Sequence, residues 1–72
     1  MISMGRIIVR VWLSRQRAQQ AERELTDHAG SKPYRQGTSP ELMWEFDSLE
    51  RAQMFQIATE NTPGVVRIQI GR

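Results

Sequence analysis

At 72 residues the chain has room for one domain and one hydrophobic core; with 39% apolar and 25% charged residues and no cysteine, it is neither a disordered tail nor a disulfide scaffold. One histidine and no thiol exclude the usual zinc clusters, and no apolar run approaches the length of a membrane span. The net charge of +2 hides an imbalance: residues 1–40 carry seven basic and three acidic groups, net +4, whereas residues 41–72 carry three and five, net −2.

Nine of the ten basic residues are Arg. That bias fits a GC-rich coding sequence, and it equally fits a surface that reads carboxylates, phosphates or aromatic faces, where the planar guanidinium outperforms Lys. Residues 1–5 lack a signal peptide's basic start and apolar stretch and read as a flexible lead into a single domain that occupies the chain, with a cytoplasmic location as the default.

The first element covers residues 6–13. Ile7, Val9, Val11 and Leu13 alternate with Arg6, Ile8, Arg10 and Trp12, the period of two of a strand whose aliphatic face meets the core. Ser14 suits a helix N-cap, and residues 15–29 hold good helix formers with no Gly or Pro. Ala18, Ala21, Leu25 and Ala29 form a narrow apolar stripe of small residues that lets the helix lie close to a sheet. Gly30 is placed as its C-terminal stop.

Residues 32–36 read as a short edge strand or a plain loop, followed by a turn over residues 37–40; proline at a strand start is compatible with an edge. Residues 41–47 return to a period of two, with Leu42, Trp44 and Phe46 facing one way and Met43, Glu45 and Asp47 the other. Asp47 or Ser48 caps a second helix, and Asp47 with Glu50 has capping-box spacing. Leu49, Ala52, Phe55 and Ala58 are its expected buried stripe, flanked by Met54 and Ile57, and residues 61–64 end it in a turn. Over residues 65–70, Val66, Ile68 and Ile70 alternate with Val65, Arg67 and Gln69.

With the short strand included, the order is β-α-β-β-α-β. It resembles the ferredoxin-like arrangement, an α+β fold in which right-handed crossovers set two helices on one face of a four-stranded antiparallel sheet. The alternative is a three-stranded β-α-β-α-β. No family motif accompanies the resemblance, and a fold alone implies no activity.

In that arrangement the sheet face away from the helices displays Ile8, Arg10, Trp12, Met43, Glu45, Val65 and Arg67, with Arg10 expected to pair with Glu45. A contiguous apolar patch rimmed by charge marks an interaction site. Ile8, Arg10, Trp12, Met43 and Arg67 are therefore the expected partner-binding residues, since Trp and Arg dominate interface energetics. Tyr34 and Arg35 beside the turn extend that surface or form an ordinary strand edge.

Self-association as a homodimer through this face is the first expectation and a different protein partner the second. Nucleic acid is the third, because sheet-face RNA binders stack bases on aromatics of the two central strands, whereas here Met43 and Glu45 stand beside the lone Trp12. Ser14, Arg15 and Arg17 form a separate candidate at the start of the first helix, where backbone N–H groups and guanidiniums suit a phosphate, a nucleic-acid backbone or an acidic patch. His28 near that helix's end suits the dipole as a cation, and the acidic Glu22, Glu24 and Asp27 read as a solvated face with partners such as Arg23.

No catalytic constellation, glycine-rich phosphate cradle, cofactor motif or metal-ligand spacing is present. The expectation is a non-catalytic interaction module, a regulator or inhibitor of a larger complex such as phages and other mobile elements encode. A nucleic-acid-binding domain using Trp12 and the Arg residues is the alternative, and a small dimeric enzyme the third.

Overall fold

The computed structural model describes residues 6–35, 37 and 40–71. The expected flexible lead (residues 1–5), Gln36, Thr38, Ser39 and Arg72 lie outside the described residues. The elements run β1 Ile7–Leu13, α1 Ala18–Ala29, β2 Tyr34–Arg35, β3 Glu41–Phe46, α2 Leu49–Glu60 and β4 Val65–Gly71. The four strands form one antiparallel sheet in the order β2-β3-β1-β4, with both helices on one face. This is the ferredoxin-like α+β fold.

The two central strands form as their alternation dictates. On β1, Ile7, Val9, Val11 and Leu13 are all buried, and on β3 Leu42, Trp44 and Phe46 meet them. Ala21, Leu25 and Ala29 of α1 and Ala52 and Phe55 of α2 close the core from above. Phe55 lies between Trp44 and Phe46, with both ring-centroid distances 5.1 Å in tilted geometry, the arrangement aromatic quadrupoles favour. Gly30 ends α1 in the left-handed region at φ 74°, its N–H donating to the Thr26 carbonyl, and His28 stands in the last turn.

Several expectations are corrected. The first helix starts at Ala18 rather than residue 15, and its N-cap is Arg17, which makes no side-chain cap. Ser14 lies three residues ahead of the cap position, where its N–H donates to the Gly64 carbonyl at 2.7 Å and ties the end of β1 to the turn before β4. Residues 15–17 become a tight turn instead. Of the expected strand over residues 32–36, Tyr34–Arg35 are strand, Lys32 and Pro33 are not, and Gln36 lies outside the described residues; β3 ends at Phe46 rather than Asp47. Glu22 pairs with Arg35 across to β2, not with a neighbour on its own helix.

The second helix is capped by Ser48, whose hydroxyl accepts from the Arg51 N–H; Asp47 does not cap it. Its buried stripe is Ala52, Phe55 and Thr59, not the expected Leu49, Ala52, Phe55 and Ala58. Leu49 is exposed and Ala58 half-buried. Thr59 can enter the core because its hydroxyl donates to the Phe55 carbonyl at 2.7 Å, and Thr62 does the same to Ala58 at 2.8 Å. Thr59→Val removes a donor whose acceptor already serves the helix, so it leaves no orphan. Urea denaturation should find it within ~1 kcal/mol of the native protein, while Thr59→Ser, which deletes a buried methyl, loses about 0.8 kcal/mol. A Thr59→Val loss well beyond that would show that the hydroxyl itself matters.

Strand β4 departs from simple alternation. It pairs Ile70 with Val9, Ile68 with Val11 and Arg67 with Trp12, then slips so that Val65 opposes Leu13. The extra residue, Val66, is bulged out and 68% exposed, while Val65 packs against the core. The expected places of Val65 and Val66 are thus exchanged.

Candidate functional site

The sheet face opposite the helices is assembled from all four strands. Residues directly opposed on antiparallel neighbours share a face. One row across this face is therefore Tyr34, Met43, Arg10 and Gln69, a second is Glu45, Ile8 and Gly71, and a third is Glu41, Trp12 and Arg67. The five residues expected to bind a partner, Ile8, Arg10, Trp12, Met43 and Arg67, all stand on it together. Val65 does not, because the bulge turns it toward the helices.

Tyr34 joins the face beside Met43 and is 59% exposed, the largest uncovered aromatic surface among the described residues. Arg35, its neighbour in β2, points to the helix side and pairs with Glu22. Ile8, Tyr34, Arg35, Met43 and Glu45 line a shallow depression of about 280 Å³. In the sequence Tyr34 carried only a weak signal. Its facing depends on the β2–β3 register, and the number of residues in a turn does not reveal which of them oppose.

Charge on the face is paired locally. The expected Arg10–Glu45 pair does not form: Arg10 opposes Met43 and its Nε lies 3.7 Å from Glu41, while Glu45 accepts from Arg6 at 3.1 Å. The Arg67 guanidinium lies 5.0 Å from the centroid of the Trp12 ring, a cation–π contact worth ~0.5–1 kcal/mol at an exposed site. Arg67 stands opposite Trp12 in the regular register that runs on to the Ile8–Gly71 pair, and the bulge at Val66 comes just beyond it. Three cations and two carboxylates leave the face with a net charge near +1.

Ser14, Arg15 and Arg17, the separate candidate for an anion, stand in the segment between β1 and α1. Ser14's N–H is spent on Gly64, the Arg17 N–H donates to the Ser14 carbonyl at 3.3 Å, and Arg17's Cβ abuts Gly64. Helical N–H groups begin only at Ala18, so these three residues precede the helix rather than form its first turn.

Among the described residues no group of three His, Asp or Glu side chains is placed to hold a metal ion, and no helix is long and apolar enough to cross a membrane. Every buried side-chain nitrogen and oxygen among them has a hydrogen-bond partner, so the interior offers no unpaired polar group aimed at a substrate. No family model matches the chain, and comparisons with curated proteins and with solved structures give no match.

Proposed function

We propose that the protein is a small non-catalytic interaction module, a regulator or inhibitor of a larger complex, that binds a protein partner through its open sheet face. The observation that carries this reading is the set Ile8, Trp12, Tyr34 and Met43 on a face no helix covers. Apolar groups rimmed by charge, with an aromatic and an Arg at the centre, are what buried interface anchors require. The internal pairing of Arg6 with Glu45 and Arg10 with Glu41 leaves Arg67, stacked over Trp12, as the cation of the face that a partner carboxylate would match.

The same pairing disfavours nucleic acid. Two carboxylates lie beside the cations a phosphate chain would need, and Arg67 covers one face of the ring on which a base would stack.

The test is capture of partners by the tagged protein with and without nuclease, followed by titration of the captured partner. Trp12→Ala and Met43→Asp are expected to weaken a nuclease-resistant protein complex by about 30-fold or more, the scale of a hot-spot loss, while circular dichroism still reports a folded domain. Recovery of nucleic acid, with affinity falling steeply as salt rises, would overturn the protein-interface reading in favour of a nucleic-acid-binding domain.

A further inference from the structure

The two edges of the sheet are built differently. β2 is a two-residue strand preceded by Pro33 and followed at a short distance by Pro40, the kind of blunted edge that resists pairing. The opposite edge, β4, spans seven residues and carries neither proline nor acidic residues. Its outward backbone groups can be identified. Ser14 directs its N–H to Gly64, so β1 residues of the same parity, Ile8, Arg10 and Trp12, turn their backbone groups toward β4. Their partners Gly71, Gln69 and Arg67 are therefore the β4 residues bonded to β1, and the N–H and C=O groups of Ile68 and Ile70 point off the edge.

Apolar side chains gather along the same edge. Ile68 and Ile70 face the helix layer yet stay half-buried, whereas Val11 and Val9 opposite them are fully buried. Above them α2 packs on β4. Its flank toward α1 carries Arg51, Met54 and Ala58. At 100° per residue Leu49 lies on the other flank, toward the open edge, and is 50% exposed, whereas Ile57 points away from the sheet.

We propose that β4 pairs antiparallel with β4 of a second copy of this chain across a two-fold axis at Gln69, extending the sheet to eight strands. An open ladder of main-chain donors and acceptors calls for another strand. This strand is complementary to itself. About Gln69 the outward-bonding Ile68 meets Ile70 of the other copy, Arg67 meets the side-chain-free Gly71, and no two like charges oppose. A register about Arg67 would set guanidinium against guanidinium, and one about Ile68 would run into the bulge at Val66. The axis keeps both helix layers on one side, so the Leu49 side chains of the two α2 helices flank Ile68 and Ile70. Both open faces remain free for the partner proposed above, on which this dimer does not depend.

The chain has no cysteine, so Gln69→Cys introduces a single thiol, placed at a pair whose backbone groups point inward and whose side chains approach closely. Mild oxidation should cross-link Gln69→Cys into dimers much faster than Glu24→Cys on the exposed side of α1. In sedimentation equilibrium from micromolar to millimolar protein, Gln69→Lys and Leu49→Asp should each weaken the dimer about tenfold or more, by opposing like charges or charging the apolar flank. Met43→Asp on the open face should leave it intact. A wild-type monomer throughout that range, or equal cross-linking of the two cysteine variants, would sink the proposal. A dimer lost in Met43→Asp but indifferent to Gln69→Lys would move self-association to the open face, and thermal melts of each variant separate these results from unfolding.

Discussion

Trp44→Ala is expected to leave the domain largely unfolded at 37 °C. Trp44 is 0% exposed, packs its ring 5.1 Å from that of Phe55, and donates from Nε1 to the Ser31 carbonyl at 3.0 Å. One side chain thus joins β3, α2 and the segment after α1. Truncating a buried aromatic costs ~3–5 kcal/mol in transfer and cavity terms together. A 72-residue domain has about 4–11 kcal/mol in total at the usual stability per residue, so the loss takes a large share of it. Urea titration followed by far-ultraviolet circular dichroism measures the loss directly, and Trp12 remains as a fluorescent reporter of the open face. Trp44→Phe keeps most of the volume and releases only the Ser31 carbonyl, which sits at the exposed end of the segment and can find water. It should lose about 1–2 kcal/mol. Equal losses in the two variants would mean that the hydrogen bond, not the packing, holds this junction.

Gly64→Ala is expected to be the most damaging glycine substitution, at ~2–4 kcal/mol. Gly64 has φ 96°, where a side chain is strained, and an added Cβ would lie 2.8 Å from Arg17's Cβ and 3.4 Å from Ala21's. Backbone strain of ~1–3 kcal/mol therefore adds to a clash between two main-chain-anchored carbons. Gly30→Ala is the control. Its φ is 74° but open space surrounds the position, so only the strain applies. The measurement is the urea midpoint of both variants at unchanged m-value. Indistinguishable midpoints would show that the turn at Arg17 gives way freely. Because the same turn carries the Ser14–Gly64 hydrogen bond and leads into the bulge, Gly64→Ala should also loosen the Arg67–Trp12 contact. A change in Trp12 fluorescence before the unfolding transition would report that.

The faces of β1 and β3 were legible in the sequence because a strand's side chains alternate by local geometry. Seven alternating positions in β1 assign Ile8, Arg10 and Trp12 to the open face without reference to any other part of the chain. Met43 follows in the same way, and Arg67 through the facing of β4 beyond the bulge. Thus all five expected partner-binding residues stand on one face. The stripe of α1 was legible too, since Ala21, Leu25 and Ala29 recur at helical spacing and nothing apolar competes on the other faces.

α2 was not legible to the same depth. Leu49, Ala52, Met54, Phe55, Ile57 and Ala58 go round its whole circumference, so periodicity names no buried side. The rotation is decided by Phe55, which docks between Trp44 and Phe46, and by Thr59, whose hydroxyl is satisfied within its own helix. The charge pairs belong to the same class. Arg10 chose Glu41 and Glu45 chose Arg6 because of a register that no single strand encodes.

What the sequence determined by itself is the order of every element but β2, the layer to which each central strand turns each residue, and hence an uncovered apolar face around Trp12. Each of these follows from a period of two or of 3.6 residues that acts within a few neighbours. Only the tertiary structure decided where α1 begins, which way α2 rotates, that Val65 and Val66 exchange places, and that Arg67 caps Trp12. Those outcomes rest on contacts between residues far apart in the chain, above all the Ser14–Gly64 hydrogen bond and the close approach of Gly64 to Arg17, which a local pattern has no means to record.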